Sequence, residues 1–187
     1  PNEWDQRHNR SGSGIWLHGT PSDTFSRPPR SSDGCVVLNN QDLKSLAPIL
    51  QTGKTPIIIA NNLSWSANDS GDTEKQSLQA AMDAWLNDWR SQDTDQYLSH
   101  YSSAFNNNGI NYQQWSAHKY RVQANKPDIS IALSNVSMFA YPDSKQKLVV
   151  VDFTQDFKSP HLSNKMQKRQ YWLLEDGNWK IISEGAA

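Results

Sequence analysis

The stretch KQSLQAAMDAWLNDW, residues 75–89, decides the fold class of this chain. Leu78, Ala81, Met82, Trp85, Leu86 and Trp89 recur at helical spacing, making one broad apolar stripe. Such a stripe has to be buried, and the sequence downstream supplies a surface for it. Further short helices are expected around 95–101 and 112–123. Then the period changes to two. Ile129, Ile131 and Leu133 alternate with polar or small residues, and KLVVVDFTQDF (147–157), KRQYWLLED (168–176) and NWKIISEG (178–185) read as strands. Asp176-Gly177 supplies a hairpin turn between the last two. Helices first and an antiparallel meander after is an α+β order.

Upstream the chain is different. Residues 1–62 are loop-rich, with a helical stretch at 40–50 between the apolar runs GIWLHG (14–19) and TPIIIA (55–60). The second run is short and β-branched and reads as a buried strand. Residues 63–74, LSWSANDSGDTE, are polar and rich in Ser, Asn and Asp, so they are expected to link one domain over 1–62 to another over 75–187.

Composition sets the outer bounds. Hydrophobic content of 36% and eight Trp among 187 residues suffice for a packed core. A net charge of -1 gives no reason to expect nucleic acid or a membrane surface as partner. No apolar run approaches the length of a membrane span. The chain opens at Pro1 inside a polar, loop-like segment, so the lack of a leader there is uninformative about compartment. His8, His100, His118 and His161 have no partner at metal-ligand spacing. Tyr97, Tyr101, Trp115 and Tyr120 could line a pocket, but at helical spacing they read as core. The charge run KMQKR (165–169) reads as an exposed strand or turn face, too small for nucleic acid.

One cysteine excludes an internal disulfide and leaves Cys35 to be explained. A lone cysteine is ordinarily a small buried hydrophobe. Here it follows a glycine at the end of HGTPSDTFSRPPRSSDGC (18–35). A cysteine nucleophile needs a base, a reason to be thiolate, and donors for the oxyanion. His18 ends the apolar run IWLH, which would hold its imidazole on a strand. Gly34 lets the backbone approach a substrate closely. The plainer alternatives are a strand-end histidine at His18 and solvated loop charges at Arg27 and Arg30.

His18-Gly19-Thr20, followed after a loop by Ser32-Asp33-Gly34-Cys35-Val36, resembles the signature of the L,D-transpeptidase (YkuD) catalytic domain over about residues 1–60. The resemblance implies Cys35 as nucleophile, His18 as base, and the Gly19 carbonyl as the group that orients the imidazole. It implies amides at Gly34 and Cys35 as the oxyanion hole, with Ser32 and Asp33 beside them. The substrate it implies is the diaminopimelate–D-alanine bond of a peptidoglycan stem peptide, cut or transferred with no cofactor, in the periplasm or cell envelope. Two positions depart from the pattern. Asp33 stands where many members have His, and Val37 stands where they have Arg. Arg27 or Arg30 could supply the missing charge. Residues 1–62 correspond only to the C-terminal half of that mainly-β domain, a piece that buries little apolar surface by itself.

Residues 74–187, with a Trp-rich first helix and a curved meander, are similar in pattern to the nuclear transport factor 2-like fold, a cone whose mouth can hold a ligand. This implies a non-catalytic second domain for substrate positioning or for contact with a second copy or an envelope protein. A binding module beside an inactive catalytic half is the alternative from another class. Transpeptidase, carboxypeptidase and amidase chemistry all stay open.

Overall fold

The apolar stripe of residues 75–89 lies on α3 (Asp69–Ser91), and its side chains build the core. Leu78, Met82 and Trp85 are each almost fully buried. Trp85 meets Trp172 edge-on at 6.5 Å and Phe153 at 6.1 Å between ring centroids, which ties the helix to the sheet. The computed structural model describes residues 2–52, 55–62, 69–125, 128–142 and 145–187. The chain divides into two compact units, Pro1–Ile57 and Ile58–Ala187.

In the second unit α3 is followed by α4 (Thr94–Ser99), the strand pair β3 (Asn106–Asn107) and β4 (Ile110–Asn111), and α5 (Tyr112–Gln123). Asn111 and Gln114 form a capping box that starts α5. The strands β5 (Ser130–Ala140), β6 (Leu148–Lys158), β7 (Ser163–Glu175) and β8 (Asn178–Ala186) form one antiparallel sheet in sequential order. Asp176 and Gly177 both have positive φ, 48° and 80°, as a type I′ turn demands. Bulges interrupt β5·β6 between Ser134 and Ser137, and β7·β8 between Tyr171 and Trp172, and bulges of this kind bend a sheet. The α+β order read from the sequence is the order observed.

The first unit has α1 (Glu3–Arg7), the strands β1 (Leu17–His18) and β2 (Val36–Val37), and α2 (Asn40–Leu46). The strands pair in parallel, Leu17 with Val36 and His18 with Val37. No apolar side chain described in this unit is buried; Trp16 is 70% exposed and Phe25 72%.

Two expectations meet a different outcome. Residues 55–60 form no strand, and Ile57, Ile58 and Ile59 are exposed, because no neighbouring strand is described for the run to pair with. Of the expected linker, residues 63–68 lie outside the described residues, and Asp69 onward is already α3. A helix anchored from Leu78 extends through polar residues that composition alone assigns to a loop.

Trp85→Ala should destabilise the second unit by about 3–5 kcal/mol, since it opens a large cavity among packed rings. Trp16→Ala should stay within about 0.5 kcal/mol of wild type. Urea unfolding followed by circular dichroism checks both, and a near-neutral Trp85→Ala would contradict this account of the core.

Candidate functional site

The first site grows from the β1–β2 pair. Backbone bonds from Val36 N to Trp16 O (2.9 Å) and from Leu38 N to His18 O (3.0 Å) fix the register. His18 stands opposite Val37, and Cys35 immediately precedes β2. Both His18 and Cys35 are half-buried. The His18 Nδ1 lies 2.7 Å from the Gly19 carbonyl oxygen. A carbonyl can only accept, so Nδ1 carries the proton and Nε2 keeps a free lone pair. The Cys35 thiol donates to the Gly14 carbonyl at 3.7 Å, and the Ser32 hydroxyl donates to the Cys35 carbonyl at 2.7 Å. Gly34 has φ +104°, a conformation in which any side chain would be strained.

A cavity of about 270 Å³ opens beside Cys35. Ser32, Val37, Arg27 and Arg30 share its wall, so the two arginines and the cysteine face one space. Arg27 Nη1 reaches the Ser31 carbonyl at 3.5 Å, and both arginine side chains are exposed. His18, Gly19, Asp33 and Gly34 do not line that cavity.

The second unit holds a cavity of about 320 Å³ between α3, α5 and the sheet. Lys119 on α5 lies over the rings of Trp115, Tyr97 and Trp89, at 4.2, 5.2 and 5.5 Å from their centroids. Lys168 on β7 pairs with Glu184 on β8 at 2.9 Å. The other Glu184 oxygen accepts from Gln170 Nε2 (2.9 Å) and Tyr101 (3.1 Å). The indole N–H of Trp115 and Oε1 of Gln155, both on cavity-lining residues, are buried with no hydrogen-bond partner among the described residues. A donor, an acceptor and two ammonium groups beside Phe157 and Met166 make a space suited to an anionic, partly apolar molecule.

Charge is tuned here. Burial, reinforced by Lys168, pushes Lys119 down to about 8 against the pull of Glu184. Burial acts to raise Glu184, but Lys168 and Lys119 outweigh it and hold the carboxyl below its ordinary value. Burial and the neighbouring cations also lower His118.

The sequence reading points to a cone with a ligand-sized mouth but assigns none of its charged lining residues. It took Trp115 and Tyr97 as core and residues 165–169 as an exposed face. Tyr97 is core, at 1% exposure, and Trp115 packs against that core while also lining the cavity. Lys168 is paired with Glu184, and Arg169 makes two 2.7 Å bonds to Asp152. The available signal was Lys119 one helical turn after Trp115, together with a glutamate close behind the apolar pair Ile181-Ile182 in the last strand. Among the described residues no cluster of His, Cys, Asp or Glu could hold a metal ion, and no helix is long and apolar enough to cross a membrane.

The family model of the Cds6 C-terminal NTF2-like domain matches residues 77–185. The chain belongs to that family. Residues 1–59 match the model of the L,D-transpeptidase catalytic domain, YkuD. Among solved structures, Bd1075 of Bdellovibrio bacteriovorus is 31% identical with a TM-score of 0.80, over 100% of this chain and 66% of that one. Pgp2 of Campylobacter jejuni, described as a helical cell shape determining protein, is 25% identical with a TM-score of 0.76, over 99% of this chain and 65% of that one. An NTF2-like protein of unknown function from Pseudomonas putida, 12% identical with a TM-score of 0.52 over 62% of this chain and 85% of that one, shares the fold of the NTF2-like unit. The chain thus spans about two thirds of the length of Bd1075 and Pgp2. No curated protein matches it by sequence.

The lowered Lys119 has a consequence for stability. Between pH 8 and 10.5 the folded chain has released a proton that the unfolded chain still holds, so stability rises with pH across that window. Urea unfolding at pH 7 and pH 10 should therefore show wild type gaining on Lys119→Met at the higher pH. A difference that stays constant would sink the assignment.

Proposed function

We propose that this chain is part of a peptidoglycan-modifying cysteine enzyme of the cell envelope, with Cys35 as nucleophile and His18 as base. The observation that supports this reading is the 2.7 Å contact from His18 Nδ1 to the Gly19 carbonyl, which leaves Nε2 free to accept a proton. His18 Nε2 takes the thiol proton as Cys35 Sγ attacks the carbonyl of a diaminopimelate–D-alanine bond. Amides at Gly34 and Cys35 receive the developing oxyanion. The C–N bond breaks, His18 returns the proton to the departing D-alanine amine, and a thioester remains on Cys35. Attack by an amine of a second stem peptide gives a crosslink; attack by water gives a trimmed tripeptide. Either step restores the thiol.

Arg27 and Arg30 stand around the cavity that Cys35 lines, and the resemblance sets Val37 where many members of that family have an arginine. On this reading the loop arginines receive a substrate carboxylate. The NTF2-like cavity, with Lys119 and Lys168, holds a second anionic stretch of the same polymer and positions it.

A second reading is favoured by two observations. The thiol turns to the Gly14 carbonyl, and the first unit buries no described apolar side chain. Under it the NTF2-like unit is a binding module and the first unit is catalytically silent.

Mass spectrometry of a disaccharide-tetrapeptide incubated with the full-length protein separates the two. Wild type should remove one alanine, and Cys35→Ala should lower that rate by about 10³-fold or more. Crosslinked dimers would mark a transpeptidase, and tripeptide alone a carboxypeptidase. Lys119→Met should raise KM with kcat nearly unchanged, the signature of lost ground-state binding. Unchanged substrate in both wild type and Cys35→Ala would overturn cleavage of this bond and leave a different scissile bond or the binding module.

A further inference from the structure

Given His18 as the base, something must hold the Gly19 carbonyl that orients it. The His18 carbonyl is fixed by Leu38 N at 3.0 Å, but the peptide beyond it leaves a two-residue strand in a unit with no buried apolar side chain among its described residues to pin it. The space around Gly19 supplies the answer. A Cβ added at Gly19 would stand 2.0 Å from Asn40 Oδ1 and 3.2 Å from its Cγ. Gly19 is not at positive φ, so its backbone would accept any residue. The need for glycine there is purely one of room, and the room is taken by Asn40.

Asn40 does not fill that space loosely. Its Nδ2 donates to the Thr20 carbonyl at 3.0 Å while its Oδ1 fills the space beside the Gly19 Cα, so one amide both bonds and packs against the Gly19–Thr20 segment. Asn40 is itself the first residue of α2, and that end of the helix is capped by Asn39, whose side chain accepts from Asp42 N at 2.9 Å. Thr20 is buried, the only described residue of the first unit that is.

We propose that Asn40 is a positioning residue for His18: it clamps Gly19–Thr20 against the start of α2 so that the Gly19 carbonyl stays on Nδ1 and Nε2 stays free to take a proton. The inference rests on the reading of His18 as the base. The chain of contacts is short and directional, from α2 to Asn40, to Gly19–Thr20, to the imidazole. An aspartate at position 40 keeps the shape but cannot donate, and it would set a carboxylate against the Thr20 carbonyl.

Nitrogen-15 NMR of the chain labelled at histidine reads the tautomer directly. Wild-type His18, in its neutral form, should carry its proton on Nδ1. Asn40→Ala should shift it to the Nε2–H form and slow iodoacetamide labelling of Cys35 at pH 7 about tenfold, the scale on which losing an orienting partner acts. Gly19→Ala should have the same effect on the tautomer, and combining it with Asn40→Ala should add little, because both release one contact. If Asn40→Ala unfolds the first unit, the isosteric Asn40→Asp decides, with the same shift expected. A folded Asn40 variant that keeps the Nδ1–H tautomer and the wild-type labelling rate overturns the proposal. Labelling that is indifferent to His18→Ala would instead remove His18 as the base, while the tautomer data still judge the clamp.

Discussion

A single buried carboxylate organises the NTF2-like unit. Glu184 is 3% exposed and lies in the last strand, where a charge without partners would cost several kcal/mol. Its oxygens take Lys168, Gln170 and Tyr101. Gln170 and Tyr101 carry the network further inward. Gln170 Oε1 accepts from the Trp172 indole at 3.0 Å, and the Tyr101 hydroxyl receives the Trp85 indole at 3.3 Å and meets Tyr97. Burial first, and the Glu184 charge second, push both tyrosines well above their ordinary value, so their hydroxyls keep their protons. The residues that charge the cavity wall are therefore joined by hydrogen bonds to the residues that pack the core. A cavity built this way is stiff, because its polar groups cannot move without uncovering a buried charge.

The first unit is ordered by other means. It has no apolar core among its described residues, and its geometry comes from caps, a two-residue parallel ladder and single side-chain bonds. Each such bond contributes about 1 kcal/mol net, so a site built on them depends on each bond individually. The contrast explains why one asparagine amide can matter to His18, whereas the second cavity is fixed by a whole aromatic core.

Legibility in the sequence follows the same division. The helix at Tyr112–Gln123 and the Asp176-Gly177 turn were readable because local signals, a capping box and a two-residue turn, agree with the tertiary structure. The His18–Cys35 loop was readable because its spacing is a motif. The Ile57–Ile59 run was misread because a strand is a statement about neighbours, and period and propensity carry none. Lys119, Lys168 and Glu184 were missed for a related reason. They meet across α5, β7 and β8, and only the register of β7 on β8, with its bulge after Tyr171, brings Lys168 to Glu184.

Register also bears on Val37, which the resemblance sets where many members of the L,D-transpeptidase family have an arginine. A side chain on β2 is held by the ladder to His18, so an arginine there would approach a substrate carboxylate with its backbone already fixed. In the proposed reading Arg27 and Arg30 would meet that carboxylate from a loop, where more rotamer freedom must be given up. Pro28 and Pro29 between them limit that cost by locking two successive φ angles near -65°. Arg30 itself sits at φ +61°, a left-handed conformation that costs a non-glycine residue about 1–2 kcal/mol. The loop thus holds its cations beside Cys35 by proline stiffness and a strained backbone rather than by sheet pairing. Val37, meanwhile, lends the same cavity an apolar wall.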